Sequence, residues 1–248
     1  MEQPDERPSP RAINAPRVVL ALIAVFVLVH VVRTWASPAT DLRILLTFGF
    51  IPARHAVQEL PGFGPWPGGE WAEAWTYVTY AFLHGDWMHL LINAFWMLAF
   101  GSVVARRLGW LRFLGLSLAA TVGGALAHLY AHWGEMAPMI GASAAISGQM
   151  AGAVRFIFAR PGDLFQASRL DPRYLRAQSL LQVLKNPRAM LFLGVWIGLN
   201  LIIGAGSIRI GMGEGSPVAW EAHLGGFFAG LLLFGLFDRR SEVGRDRG

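Results

Sequence analysis

Residues 141–148 read Gly-Ala-Ser-Ala-Ala-Ile-Ser-Gly and open an apolar stretch. Small residues recur every four positions in this stretch, at Ala144, Gly148 and Gly152. Such spacing lets two membrane helices approach with their backbones in contact. Ser143 lies beside the small-residue face, and a polar side chain at membrane depth is costly, so it favours a functional role.

A second apolar stretch carries the matching pattern. It begins Glu-Ala-His-Leu-Gly-Gly-Phe at residues 221–227, and its small residues are Ala222, Gly226 and Gly230. Contact between the two small-residue faces is expected to bring the Ser143 hydroxyl within hydrogen-bond reach of the His223 imidazole. A serine nucleophile needs such a base because the pKa of its own hydroxyl is far too high.

A third stretch, residues 87–96, adds two more polar side chains. His89 and Asn93 are four residues apart, so they share one face of a helix. Acyl transfer develops negative charge on an oxygen, which preorganised donors must stabilise. His89, Asn93 and the backbone N–H of Ser143, at the start of a helix, are the predicted donors.

The composition indicates an integral membrane protein. Hydrophobic residues make up 54% of the 248 residues and charged residues only 15%, and the mean hydropathy is +0.43. The chain has no Cys, which excludes disulfides and thiol nucleophiles. Ser and His must therefore carry any covalent chemistry.

The predicted fold is an all-α polytopic bundle of six transmembrane helices between two cytoplasmic tails, residues 1–15 and 238–248. Crossing a bilayer takes about 20 mostly apolar residues. Six segments within residues 16–237 qualify, at about 16–35, 84–104, 111–131, 141–160, 189–207 and 218–237.

Basic residues predict the orientation of this bundle. With the N-terminus inside, all of the 21 Lys and Arg residues lie on the cytoplasmic side except Arg33, Arg43, Arg54 and Arg209. Both termini should therefore be cytoplasmic. The long connection 37–83 is expected outside and partly in the membrane interface, because it mixes an apolar run with several Trp residues.

The acidic residues predict a catalytic dyad rather than a triad. All 16 are expected in the termini and connections, which leaves no buried carboxylate to orient His223. The ring would then be positioned by packing.

These residues and their order resemble the rhomboid family of intramembrane serine proteases, over about residues 75–237. The family's H-x-x-x-N pattern is present as His89 and Asn93. Its other two patterns are A-H-x-x-G-x-x-x-G, here Ala222, His223, Gly226 and Gly230, and G-x-S-G, here Gly141 to Ala144.

The resemblance implies a role for each site residue. Ser143 would be the nucleophile, His223 the base, and His89 with Asn93 the oxyanion donors. His84 matches a family histidine that holds structure and water near the site. The remaining positions that support the motif are Gly141, Gly226, Gly230 and Ser147.

The resemblance also implies the reaction and its setting. Single-pass transmembrane proteins would be cleaved near the outer membrane face, with small residues favoured at the cut. The enzyme would be a multi-pass protein of the cytoplasmic (inner) membrane of a bacterium. Its partners would be these substrates and the lipid bilayer, with no nucleic acid, cofactor or metal.

Two positions at the serine depart from the family pattern. Ala144 replaces the Gly that follows the nucleophile. Ser147 replaces a residue that is often aromatic and stacked on the histidine, and it supplies a second candidate hydroxyl. Ser143 is favoured over Ser147 because it follows Gly141 at the start of the helix.

Three alternatives stay open. A membrane serine can simply bond the backbone four residues back. A rhomboid-like protein can bind transmembrane helices without cutting them. Haem or metal could be held by His84, His89, His128 and His223, although neither Cys nor acidic partners are expected there. Without a surrounding motif, His128 is otherwise interpreted as structural and His132 as interfacial.

A gate is expected beside the site. The connection 206–217 before the sixth segment is rich in glycine, which suits a flexible lid over a water-filled cavity. The glycines of this region are Gly204, Gly206, Gly211, Gly213 and Gly215.

Overall fold

The computed structural model describes residues 15–60, 62, 64–159, 171–204 and 219–238. Ten α-helices are described there. They are α1 Arg17–Thr34, α2 Pro38–Phe48, α3 Trp71–Thr79, α4 Trp87–Trp96, α5 Ser102–Leu108, α6 Trp110–Ala131, α7 Ser143–Ile157, α8 Leu180–Lys185, α9 Pro187–Gly204 and α10 Trp220–Phe237.

Four helical segments are long and apolar enough to cross a membrane. They are Arg17–Thr34, Trp87–Leu108, Trp110–Ala131 and Trp220–Phe237. The other two expected spans correspond to α7, which has only 15 residues, and to a shorter apolar stretch, Pro187–Ile202. Six spans and cytoplasmic termini therefore stay predictions.

The second span is a composite helix. A π-helical turn, Met97–Gly101, separates α4 from α5, and such turns widen a helix locally. A Cβ added to Gly101 would lie 2.8 Å from Oε1 of Gln149, a fully buried side chain of α7. The π-helical turn therefore lies where the second span packs against α7.

Helices α6, α7 and α10 form the centre of the bundle, and glycines mark their contacts. A Cβ added to Gly226 or Gly230 would collide with the backbone of Ala144 or Gly148, respectively, on α7. The predicted backbone contact between the two small-residue faces is confirmed. Helix α6 joins them in the same way, because a Cβ on Gly123 would lie 3.1 Å from the carbonyl oxygen of Gly225.

The connection 37–83 is a folded unit. It contains α2, a 3₁₀ turn Pro52–His55, a two-stranded antiparallel hairpin of Glu59–Leu60 and Gly64–Pro65, and α3. Phe50 pairs with Met139 through two backbone hydrogen bonds of 3.1 and 2.8 Å. This pairing fixes the unit to the segment that leads into α7.

Arg33 holds the end of α1 to this unit. Its guanidinium is 7% exposed and donates to Asp41 of α2 at 2.7 and 3.3 Å. The third donor, Nη1, reaches the carbonyl oxygen of His84 at 2.6 Å. A charge-assisted hydrogen bond therefore attaches the segment just before α4 to the end of α1.

A buried ion pair closes the opposite end of the bundle. Arg107 Nη2 lies 2.8 Å from Asp238 Oδ2, and both side chains are 2% exposed. Arg107 Nη1 also donates to the carbonyl oxygens of Pro172 and Leu175, at 2.8 and 2.6 Å. Asp238 was expected to begin the C-terminal tail, but its side chain packs into the helical domain.

Replacing Asp238 with Ala is expected to destabilise the protein by about 3–5 kcal/mol, because it leaves the buried Arg107 charge without its carboxylate. Thermal unfolding of the purified protein in detergent measures the loss. Arg173→Ala is the matched control, since it breaks an exposed ion pair with Asp171 and should change stability little. Equal melting temperatures for Asp238→Ala and wild type would contradict the assigned role of this pair.

Candidate active site

Gly141 precedes the turn that presents Ser143 at the start of α7. Gly141 has φ +117°, a conformation that side-chain-bearing residues rarely adopt, and its N–H donates to the Tyr80 carbonyl oxygen at 2.9 Å. Ser143 is the first residue of α7, and the first bond back to the chain is from Ile146 N–H to the Ala142 carbonyl at 3.0 Å. The N–H groups of Ser143 and the next two residues have no partner within the helix, so they are available as donors.

Two further donors flank the same glycine. A Cβ added to Gly141 would lie 2.7 Å from His89 Nε2 and 3.9 Å from Asn93 Nδ2. A side chain at Gly141 would therefore displace the His89 ring. The structure places His89 and Asn93 beside the turn that carries Ser143.

Hydrogen bonds fix which His89 nitrogen carries the proton. The Asp86 side chain caps α4 by accepting from His89 N–H at 2.7 Å. The Gly85 N–H donates to His89 Nδ1 at 3.3 Å. Because Nδ1 accepts, the proton of the neutral ring is on Nε2, the atom that faces Gly141.

Asn93 is oriented by its own helix. Its side chain is 4% exposed, and Nδ2 donates to the His89 carbonyl oxygen at 2.9 Å. The amide group has two hydrogens. One of them is held by this bond and the other is available to a developing oxyanion.

Asn200 of α9 orients the His223 ring. His223 Nδ1 lies 2.7 Å from Asn200 Oδ1. Asn200 Nδ2 donates to the Trp196 carbonyl oxygen at 2.8 Å, which fixes the amide so that its oxygen faces His223. The ring must then donate from Nδ1, and Nε2 keeps the lone pair that a general base needs.

Ser143 is the first residue of α7 and His223 lies in the first turn of α10, and these two helices touch. Ser143 precedes Ala144, whose backbone meets Gly226, and Gly226 follows His223 by one helical turn. In the described part of the chain the Ser143 hydroxyl makes no hydrogen bond, so the expected bond to His223 is not formed in this state. Catalytic hydrogen bonds are often long before substrate binds and shorten in the complex.

Ala144 fits the site without distorting it. Its side chain is 1% exposed, and its methyl group lies over Gly124 of α6, where an added Cβ would be only 2.5 Å away. Ala142, just before α7, has φ −77° and ψ 0°, which is unstrained. The turn that leads into α7 therefore accommodates Ala144.

Ser147 has the structural role that a membrane serine commonly adopts. Its hydroxyl donates to the Ser143 carbonyl oxygen at 2.7 Å, and the residue is 6% exposed. This is the bond to the backbone four residues back. The Ser147 hydroxyl therefore supports the turn that carries Ser143.

His84 lies next to His89. The residue is fully buried, and its ring centroid is 5.2 Å from those of Phe26 and His89. Neither ring nitrogen makes a protein hydrogen bond of normal geometry among the described residues, although the Phe82 backbone interacts with the ring. Buried polar groups are nearly always bonded to protein or water, so this ring favours a water site beside His89.

Sequence reasoning missed Asn200 and misplaced Glu221. Asn200 is the one amide side chain in the apolar run from Ala189 to Gly204, and that isolation was the available signal. Glu221 was expected in a connection, but it lies in the first turn of α10, two residues before His223. The expected gate, residues 206–217, lies outside the described residues.

The four-histidine metal site is not assembled. Among the described residues, His128 alone of those four belongs to a group with metal-ligand spacing, together with His132 and Glu221. The expectation that no acidic residue accompanies the histidines is therefore wrong for His128.

Comparison with known proteins finds a matching family and several similar proteins. A family model described as the rhomboid domain matches residues 72–240. Two similar curated proteins are the Rhomboid protease GlpG of Yersinia pestis (strain Pestoides F) and that of Yersinia pseudotuberculosis serotype O:3 (strain YPIII). Each is 28% identical over 179 residues, which are 72% of this chain and 53% of the relative. The chain spans about half the length of the curated relatives it matches.

Proposed function

This chain belongs to the rhomboid family, and from that premise we propose that it is an intramembrane serine endopeptidase that uses Ser143 and His223 as a catalytic dyad. The observation that carries the proposal is the tautomer of His223. Asn200 accepts from Nδ1, so Nε2 is free to take a proton from the serine that begins the neighbouring helix.

The dyad performs the attack. Ser143 Oγ adds to the carbonyl carbon of the scissile peptide bond while His223 Nε2 takes its proton. The same imidazole then gives the proton to the leaving amine, as in other serine proteases. An acyl-enzyme on Ser143 results.

Three donors stabilise the oxyanion of this step. They are His89 Nε2–H, the second amide hydrogen of Asn93 and the N–H of Ser143, which has no partner within its own helix. All three belong to residues beside Gly141, and none must reorganise its own hydrogen bonds to donate. Preorganised donors of this kind contribute roughly 10²- to 10³-fold each to the turnover rate in serine proteases.

Hydrolysis of the acyl-enzyme requires water beneath the membrane surface. The nitrogens of His84, buried beside the His89 ring, support a water-holding position next to the oxyanion donors. Water from this position would be deprotonated by His223 and would attack the ester carbonyl.

Asn200 acts as a positioning residue in this scheme. Asn200→Leu is expected to lower kcat by roughly 10²-fold with little change in KM, because the imidazole loses its fixed tautomer before the attack. In the serine protease triad, loss of the correct tautomer reduces kcat by as much as about 10⁴-fold. Steady-state cleavage kinetics check this prediction.

Asn200→Asp separates positioning from packing, because it keeps an acceptor at the same place. It should retain kcat within about 10-fold of wild type. Unchanged kcat in Asn200→Leu would contradict the positioning role, and equal losses in Leu and Asp variants would assign Asn200 to packing instead.

The proposed substrates are single-pass transmembrane proteins, cut near the outer face of a bacterial cytoplasmic membrane. The site supports this location because Ser143 is the first residue of α7 and His223 lies in the first turn of α10, rather than at mid-helix. Co-reconstitution with a tagged single-pass substrate in liposomes, followed by mass spectrometry of both fragments, tests the proposal. A cut at small residues near one end of the substrate span is expected. Substrate capture without any cut would favour the non-proteolytic rhomboid-like function.

A further inference from the structure

A second cluster of functional side chains lies where α6 ends and α10 begins. His128 is in the last turn of α6, His132 directly follows that helix, and Glu221 is in the first turn of α10. One potential ligand atom from each of these three residues lies within 4.8 Å of those of the other two. His132 Nε2 and Glu221 Oε1 are 3.4 Å apart, and the two imidazole centroids are 4.6 Å apart.

The hydrogen bond at one ring nitrogen of His128 determines that the other nitrogen carries the lone pair. Nε2 lies 2.9 Å from the Ala137 carbonyl oxygen, which can only accept, so Nε2 carries the proton. Nδ1 is therefore the acceptor. This nitrogen is buried, as is the whole side chain, which is only 4% exposed. It has no protein hydrogen-bond partner among the described residues. A buried nitrogen lone pair without a protein partner is completed by a bound water or by a metal ion.

His132 has the same arrangement. Its Nδ1 lies 2.9 Å from Glu135 Oε2, which fixes the Nδ1 proton and leaves Nε2 towards Glu221. The hydrogen bond to Glu135 raises the pKa of His132, so a proton competes for Nε2 as the pH falls. A carbonyl behind one histidine and a carboxylate behind the other are the partners that usually orient metal-bound imidazoles.

The donor set and spacing select a class of metal. Two neutral imidazoles and one carboxylate suit Zn²⁺ and similar divalent transition metals rather than Ca²⁺ or Mg²⁺. Tetrahedral coordination at about 2.0–2.1 Å places neighbouring ligand atoms about 3.3–3.4 Å apart. The His132–Glu221 pair already has this separation, and His128 has to approach to complete the set.

We propose that His128, His132 and Glu221 bind a divalent transition metal of the Zn²⁺ class, with water in a fourth position. The metal would join the end of α6 to the start of α10. Glu221 precedes His223 by two residues, so the bound ion would also restrain the turn that carries the proposed base. The site itself does not depend on the proposed proteolytic function.

Binding is measured on the full chain in detergent, without a polyhistidine tag and after removal of metal by a chelator. Titration with Co²⁺ should produce the intense visible absorption of a tetrahedral site at one equivalent, and Zn²⁺ should displace it. Zn²⁺ should also raise the melting temperature of the wild type. Both measurements are made above neutral pH, where the proton competes least.

Variants locate the metal. Glu221→Gln and His132→Ala should lose the Co²⁺ absorption and the Zn²⁺-dependent shift in melting temperature. Glu135→Gln, which leaves all three ligands in place, should weaken binding by roughly 10- to 100-fold. Glu70→Gln removes an exposed carboxylate elsewhere and should bind as wild type does.

Two results would overturn the site. The first is a wild type that binds no stoichiometric Co²⁺ and shows no shift with Zn²⁺, in which case His132 forms an ion pair with its two carboxylates and nothing more. The second is a Glu221→Gln variant that binds the metal as tightly as wild type. Melting without added metal shows whether each variant is folded, so that loss of binding is not confused with loss of structure.

Discussion

Ser143→Ala is expected to lower the rate of substrate cleavage by roughly 10⁴- to 10⁶-fold, the loss seen when a serine protease loses its nucleophile. His223→Ala should cause a loss of similar size, because serine and base act as one unit. The double variant should be no slower than either single variant. Initial rates of cleavage of a single-pass substrate in liposomes measure all three.

Ser147→Ala is the matched control for the nucleophile. It removes a hydroxyl one turn deeper on the same helix, and that hydroxyl donates to the Ser143 carbonyl oxygen. Activity should stay within about 10-fold of wild type, because only a supporting hydrogen bond of roughly 1 kcal/mol is lost. Abolished cleavage in Ser147→Ala together with an active Ser143→Ala would transfer the nucleophile to Ser147.

Gly230→Val is expected to destabilise the protein by at least about 3 kcal/mol and to abolish cleavage with it. A Cβ at Gly230 would meet the backbone of Gly148, and no side chain can rotate away to relieve the collision. Overpacking usually costs about 1–3 kcal/mol, and a collision with rigid backbone belongs at or above the upper end. Separation of α7 from α10 would also separate Ser143 from His223.

Gly235 offers the control in the same helix. A Cβ there would meet nothing within 4 Å, so Gly235→Val changes the same residue type to the same side chain without a collision. Its melting temperature and cleavage rate should stay near those of wild type. Equal melting temperatures for Gly230→Val and Gly235→Val would contradict the backbone contact between α7 and α10.

Much of the central packing was predictable from the sequence, because small-residue spacing is a local pattern. The repeats that contain Gly148 and Gly230 predicted which helices touch, and the structure shows that contact. The i, i+4 pair of His89 and Asn93 was likewise placed on one face by helical geometry alone. Both predictions depend only on the spacing of residues along a helix.

The partners of His223 could not be predicted in the same way. Helix α9 is apolar on all sides, so the sequence does not indicate which face Asn200 presents to the bundle. The Arg107–Asp238 pair joins residues 131 positions apart, and Glu221 of α10 lies 3.4 Å from His132, which directly follows α6. Each contact depends on how one helix is rotated relative to another. That rotation is determined by the packing of the whole bundle.

The most direct test of the dyad is covalent labelling of the purified protein with a fluorophosphonate, followed by peptide mass spectrometry. We expect the adduct on Ser143, its absence in Ser143→Ala, and its strong reduction in His223→Ala, since an unactivated serine does not react. Folded wild-type protein that acquires no adduct, or acquires it equally with and without His223, would contradict the proposal that this rhomboid family member is a serine protease.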